Sequence, residues 1–239
     1  MYAVISDIHG NLEALEAVLG DMPGDLERIY CLGDVIGYGA SPNECCDLIR
    51  EREILTISGN HDLAIADESS DISWFNPVAA AAVLWGREQL TEENRKFLLG
   101  LPRMMQSADA LFVHGSIRDP DEYIMDHTTA EENLALLKSE YPGVPLCFFG
   151  HTHVKSIAPR PPHPANGSGA LDLSENGPYL INPGSVGQPR DGDTFASYVT
   201  VEGLTVTYRF VQYDIERSQA RIRAAGLPDM LAARLAVGR

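Results

Sequence analysis

The sequence predicts an α/β fold in which two β-sheets pack together with helices outside. Three observations carry that prediction. Strand and helix patterns alternate through the first 60 residues, helical periodicity takes over across 63–101, and an antiparallel β pattern follows Gly150. The early β-α-β spacing implies right-handed crossovers and a parallel sheet, whereas the late strands read as hairpin-connected.

Tyr2–Ser6 is an apolar run that reads as the first strand, and a helix follows with Leu12, Leu15, Val18, Leu19 and Met22 on one face. Ile29–Leu32 is the second strand. Ser41-Pro42-Asn43-Glu44 then supplies an N-cap, a proline at the first helical position and a glutamate at N3, a combination that starts a helix. Ile54–Ile57 is the third strand. Residues 63–101 read as a helical insertion beside its exit loop: Asn76–Leu90 is one helix, Thr91 caps a second, and Gly100-Leu101-Pro102 stops it. The insertion is a candidate lid carrying Trp74 and Phe75. Ala110–His114 and Leu146–Phe149 are expected as buried strands around a helix over Thr129–Lys138, with a capping box from Thr129 to Glu132. Arg160–Gly169 reads as a surface loop. Tyr179–Ile181, Phe195–Val201 and Leu204–Val211 suit paired strands, the last two joined by a tight turn. Asp214–Arg239 holds one or two helices interrupted by Gly226 and Pro228. With no linker or internal repeat, residues 1–239 are read as a single domain.

Composition narrows the function. The formal net charge is −16, from 34 acidic against 18 basic residues, which disfavours long nucleic acid as a partner. No run of about 18 apolar residues offers a membrane span, and the N-terminus lacks the basic region of a signal peptide, so a cytoplasmic location is expected. The four cysteines form no C-x-x-C pair. Cys31 and Cys147 read as small buried hydrophobes, and one of Cys45 and Cys46 is expected to face inward from its helix.

Five of the seven histidines lie in short stretches that end strands: Ser6-Asp7-Ile8-His9-Gly10-Asn11, Gly59-Asn60-His61-Asp62, Val113-His114-Gly115 and Gly150-His151-Thr152-His153, with Gly33-Asp34 alongside. Sites in open α/β sheets form beyond the carboxyl ends of strands, where all five stretches fall. If the backbone is extended, Asp7 and His9 point the same way and can grip one ion, while His151 and His153 can diverge to separate ions in a loop. Oxygen and imidazole donors without thiolate suit manganese, iron, cobalt or zinc, with nickel a further candidate and manganese placed first. Seven donors are too many for one ion with an open position, yet natural for two.

SDIHGN, GDVIGYG, GNHD, VHG and GHTH, in this order from residue 6 to 153, resemble the calcineurin-like metallophosphoesterase superfamily, in particular its small single-domain bacterial and archaeal branch. Asn182–Arg190 resembles that branch's late loop. The resemblance implies a four-layer α/β/β/α sandwich with two mixed sheets packed face to face. It implies Asp7, His9 and His153 on a first metal and Asn60, His114 and His151 on a second, with Asp34 bridging them. It further implies hydrolysis of a small phosphate ester by in-line attack of a metal-bridging hydroxide. His61 would protonate the departing alkoxide and Asp62 would orient the His61 imidazole. Asn11, Tyr38 and Arg190 are candidate substrate contacts, although Arg190 equally suits a salt bridge to Asp191 or Asp193. Tyr38, Trp74 and Phe75 could stack on a nucleobase, but aromatic residues near a helical insertion are more often core.

The second motif here has no arginine, unlike the GDxVDRG form of the phosphoprotein phosphatases. That absence tilts the expectation toward phosphodiesters such as cyclic nucleotides, with monoesters next. A phosphoprotein phosphatase and a non-catalytic metal-dependent scaffold are the alternatives. The expected partner is a small phosphate ester, with no long nucleic acid and no membrane. Homo-oligomerisation through the insertion or the C-terminal helices is left open.

Overall fold

The structure, a computed structural model, describes residues 1–159, 169–173 and 177–239. Its first sheet contains β1 (Tyr2–Ile5), β2 (Arg28–Cys31), β3 (Leu55–Thr56), β8 (Ala170–Asp172), β10 (Ala196–Glu202) and β11 (Thr205–Val211), in the order β3-β2-β1-β10-β11-β8. The second contains β4 (Met104–Gln106), β5 (Ala110–Val113), β6 (Leu146–Phe148), β7 (Ser156–Ala158) and β9 (Tyr179–Asn182), in the order β4-β5-β6-β9-β7. Both are mixed. The β1–β2–β3 and β5–β6–β9 ladders are parallel, while β10, β11, β8, β4 and β7 join antiparallel.

Strand periodicity explains the layers. Val4, Tyr30, Val199 and Tyr208 of the first sheet meet Phe112, Phe148 and Ile181 of the second in one buried cluster, with Tyr30 stacked on Phe112 at 4.1 Å between ring centroids. Their neighbours Ala3, Ile5, Cys31 and Tyr198 point the other way, against the helices α1 (Leu12–Asp21), α2 (Pro42–Glu51), α3 (Asn60–Ala66), α4 (Pro77–Gln89) and α5 (Glu92–Leu99). On the far side Leu111, Val113, Cys147 and Leu180 pack on α6 (His127–Glu140). This is the expected α/β/β/α sandwich. The C-terminal helices α7 (Ile215–Ala224) and α8 (Asp229–Ala233) lie against α4 through Ile222, Leu231, Ala79 and Ala82. Among the described residues no helix is long and apolar enough to cross a membrane.

Several elements differ from the expectation. The third strand is only Leu55–Thr56 because the chain turns into α3 inside the GNHD motif, a helix too short to show periodicity. Helix α6 begins at His127, not Thr129: Asp126 accepts from the Thr129 N–H and so caps it earlier. Strands β4, β7 and β8 have three residues each, below what an alternating pattern can reveal. Cys45 and Cys46 are both fully buried, since α2 is covered on two sides. The insertion is no free lid, because Val83, Leu90 and Leu98 pack α4 and α5 into the outer helical layer. Of the expected Arg160–Gly169 loop, residues 160–168 lie outside the described residues.

Candidate metal centre

The loops after β1, β2, β3, β5 and β6 converge at one edge of the sandwich, and their polar side chains are buried there. One group of donors comprises Asp7, His9, Asp34 and His153, and a second Asp34, His114 and His151. Within each group the ligand atoms lie within 4.8 Å of one another. Asp34 belongs to both: its Oδ2 is 3.4 Å from His9 Nε2 and 3.4 Å from His114 Nε2. Asn60 joins the second group, its Oδ1 being 3.1 Å from His114 Nε2. His153 and His151 separate to different groups, as the loop reading anticipated.

The backbone is held in an uncommon conformation to achieve this. Asp7, His9, Asp34, His151 and His153 all have φ between 51° and 63°, a left-handed region that non-glycine residues occupy at a cost of about 1–3 kcal/mol each. Extended alternation therefore does not aim Asp7 and His9 at one point; a left-handed turn does. Two glycines make room. A Cβ at Gly59 would collide with the Asp34 carboxylate, and one at Gly37 with the His9 imidazole.

Surrounding hydrogen bonds orient the donors. His114 Nδ1 lies 2.7 Å from the Leu32 carbonyl and His153 Nδ1 2.6 Å from the Gln188 carbonyl, so each presents Nε2 inward. The His151 N–H donates to the Asp7 carboxylate, the Ser6 hydroxyl donates to its Oδ2 at 2.6 Å, and the His61 N–H donates to Asp34 Oδ1 at 2.9 Å.

Electrostatics suit a cation. Burial opposes the charge of both aspartates, but His153 and His114 outweigh it at Asp7, and His114, His61 and His9 outweigh it at Asp34. Both carboxyls are held below the usual range. Burial also disfavours the His114 cation, yet Asp34 and Asp7 push its pKa up to about 10. His9, His151 and His153 are shifted down, chiefly by burial, and so are neutral and ready to ligate. His151 Nε2 is buried without a hydrogen-bond partner, and His9 Nε2 faces His153 Nε2 at 3.0 Å. An orphaned imidazole nitrogen and two such atoms aimed at each other fit metal ions between them.

The remaining expected residues divide. His61 stands beside the donors, its Nε2 3.1 Å from the Tyr38 hydroxyl and its Nδ1 buried without a partner. Burial lowers its pKa to about 4, against the pull of Asp34 and with the help of Arg190. Asp62 does not meet the His61 ring, which corrects its assigned role: its carboxylate accepts from the Ile36 and Gly59 N–H groups instead. Asn11 has a structural task. It caps α1 by accepting from Ala14 N–H, donates one amide N–H to the Gly187 carbonyl and accepts from the Ser218 hydroxyl, so three of its bonds serve the fold.

Tyr38 lies between His9 and His61, with ring centroids 4.6 and 4.5 Å away. Arg190 makes neither of its expected salt bridges, because buried Lys155 takes Asp191 at 2.8 Å and Asp193 at 3.5 Å. Its guanidinium donates to the Tyr38 hydroxyl and to Gln188 Oε1. The second motif has no arginine, and Arg190 of the late loop is the arginine that stands at the Tyr38 hydroxyl beside His61. Phe75 packs edge-on against His61 at 5.0 Å, and Trp74 stacks on Phe75 but is 56 % exposed, so it is not core.

Sequence reasoning missed Lys155, Tyr123, whose ring lies 4.0 Å from that of His151, and Arg234, whose guanidinium stands over Tyr38. Lys155 follows His153 by two residues and was within reach of the motif. Nothing local marks the other two.

The chain is similar to known proteins over its length. A family model described as calcineurin-like phosphoesterase superfamily domain matches residues 1–205. The uncharacterized protein MJ0912 of Methanocaldococcus jannaschii is 39 % identical over 249 residues, covering 100 % of this chain and 98 % of that protein. A metallophosphoesterase from Sphaerobacter thermophilus is 43 % identical with a TM-score of 0.86, covering 100 % of this chain and 99 % of that one. The hypothetical protein PH1004 of Pyrococcus horikoshii OT3 shares the fold at 24 % identity and a TM-score of 0.80, with 100 % and 99 % coverage.

Proposed function

The chain belongs to the calcineurin-like phosphoesterase superfamily, and from that membership we propose that it is a metal-dependent hydrolase of small phosphate esters. The observation that carries the reading is Asp34 shared between two donor groups whose other ligand candidates are buried and pre-aimed. Such expenditure of backbone strain suits a reaction centre more than a scaffold. Asp7, His9 and His153 would hold one ion, and Asn60, His114 and His151 the other, with Asp34 between. Manganese is the first candidate, and iron, cobalt, nickel or zinc are alternatives. When bound, the metals supply Lewis acidity and a nucleophile at neutral pH. His61 donates a proton to the departing alkoxide. An anionic phosphoryl group beside its ring opposes the effect of burial and raises its pKa, so that the imidazole takes up a proton from water as substrate binds. Arg190 and the Tyr38 hydroxyl orient the phosphoryl oxygens. Four free, buried cysteines support a reducing, cytoplasmic compartment.

The test compares p-nitrophenyl phosphate, its bis ester, 2′,3′-cyclic nucleotides and phosphopeptides on protein loaded separately with Mn²⁺, Ni²⁺, Co²⁺ and Zn²⁺. Turnover of a small mono- or diester is expected. Turnover of phosphopeptides alone would favour the phosphoprotein phosphatase, and none at all the scaffold. His61→Ala is expected to lower kcat by more than about 10²-fold with metal content retained, and unchanged turnover would remove its role as acid.

A further inference from the structure

Two guanidinium groups stand over one aromatic ring. The Cζ of Arg190 lies 5.6 Å from the centroid of Tyr38, and that of Arg234 5.7 Å. Neither has a side-chain carboxylate partner among the described residues. Arg190 donates only to Tyr38 and Gln188, its Nε is buried without a partner, and the acids that follow it are bound to Lys155. Arg234 Nε donates to the terminal carboxylate oxygen of Arg239, whose own guanidinium lines the same cavity, so that the cations around Tyr38 still outnumber the anions there. Like charges brought together away from water repel, and burial together with the charge of Arg190 lowers the pKa of Arg234. In a chain with 34 acidic and 18 basic residues, two arginines with no side-chain carboxylate between them at one ring call for a ligand.

The space for one is present. Tyr38 and Arg234, with Asn76, Val78, Met230 and Arg239, line a cavity of about 370 Å³. Tyr38 connects this cavity to the metal centre, because its hydroxyl is 3.1 Å from His61 Nε2. A guanidinium binds a carboxylate or phosphoryl group through paired N–H donors, whereas it gains little from a neutral alcohol.

We propose that Arg190 and Arg234 form an anion subsite beside the metal centre, so that the substrate is a small phosphate ester carrying a second oxyanion. The first phosphoryl group is placed by the phosphoesterase reading above, on which this inference rests. Arg190, which donates to the Tyr38 hydroxyl beside His61, serves the boundary between the two anions, while Arg234, from the turn after α8, lines the cavity and sets the specificity.

Calorimetry on the metal-loaded protein with non-hydrolysable ligands tests it: phenylphosphonate, 4-phosphonobenzoate and benzene-1,4-bisphosphonate. At least one of the two doubly anionic ligands is expected to bind about tenfold more tightly than phenylphosphonate, consistent with one charge-assisted contact, and the tighter one identifies the oxyanion. Arg234→Gln is expected to reduce that gap to under about threefold, and Arg234→Lys to keep most of it, with the melting temperature of each variant checking its fold. Equal affinities in the unaltered protein, a gap that survives Arg234→Gln, or no measurable binding of any phosphonate would overturn the subsite. A gap that stands while no ester is hydrolysed would instead overturn the proposed reaction and leave the subsite intact.

Discussion

The metal cradle and the rim around it are built in opposite ways. In the cradle, each donor sits in the first residues after a strand or at the start of α3, and the same short motifs supply hydrogen bonds that hold the neighbouring donors. The rim draws Tyr38 from the loop after β2, Phe75 and Trp74 from the loop before α4, Arg190 from the loop before β10 and Arg234 from the turn after α8. Ligation geometry is thus concentrated in short segments under backbone strain, whereas recognition is assembled from pieces far apart in the chain. Changes in the cradle should remove chemistry outright, and changes at the rim should redistribute affinity among substrates.

The strongest way to break this comparison is at Asp34. Its carboxylate faces His9 and His114 and accepts the His61 N–H, and among the described residues it is the side chain common to both donor groups. Asp34→Ala is expected to lower kcat by at least about 10³-fold and to reduce bound metal below two ions per chain. Elemental analysis beside initial rates checks both. A variant retaining two ions and most of its rate would show that the donor groups are not coupled through this residue.

Asp62 tests where the cradle ends. Burial and the nearby charge of Asp34 raise its pKa to about 7, even though two backbone N–H groups favour its ionised form. The sign of the linkage follows. Between about pH 4 and pH 7 the folded protein retains this proton while the unfolded chain releases it, so the contribution to stability is present below that window and is lost as pH rises through it. The buried histidines with lowered pKa values act oppositely in the same window, so the readout is a difference between variants. In metal-free protein, the melting-temperature advantage of the unaltered chain over Asp62→Asn should shrink between pH 4.5 and pH 7.5. The rate of the metal-loaded variant should stay within about tenfold, since its carboxylate touches backbone and not the His61 ring. A loss beyond about 10²-fold would restore the orienting role that the sequence suggested.

These contrasts also explain what could be read before folding. The sandwich was legible because β1, β5 and β9 alternate their apolar residues between two cores, and the cradle because strand-end motifs are local by nature. The left-handed backbone at five donors was hidden, since no residue type there announces it. Asp62 misled because a carboxylate inside a motif looks the same whether it meets an imidazole or the backbone. Lys155 was overlooked although its effect is large: by taking Asp191 and Asp193 it leaves Arg190 to the site. Arg234 depends on how the last helices fold back over α4, which no spacing rule in the sequence supplies.

The smallest expected effect lies at the outermost rim residue. Trp74 touches Phe75 face to face, donates its indole N–H to the Asp71 carbonyl, and borders a cavity of about 180 Å³ that also includes Asn60, Arg103 and Asp121. Being more than half exposed, it contributes little to folding, so Trp74→Ala should leave the melting temperature nearly unchanged. An aromatic contact is worth about 0.5–1.5 kcal/mol, so KM for an aryl phosphate ester should rise by about threefold or more while KM for an alkyl ester stays put. That split is what a wall of the substrate cavity produces. An equal rise for both esters would mean that Trp74 acts through Phe75 on His61, and would move it from the rim into the cradle.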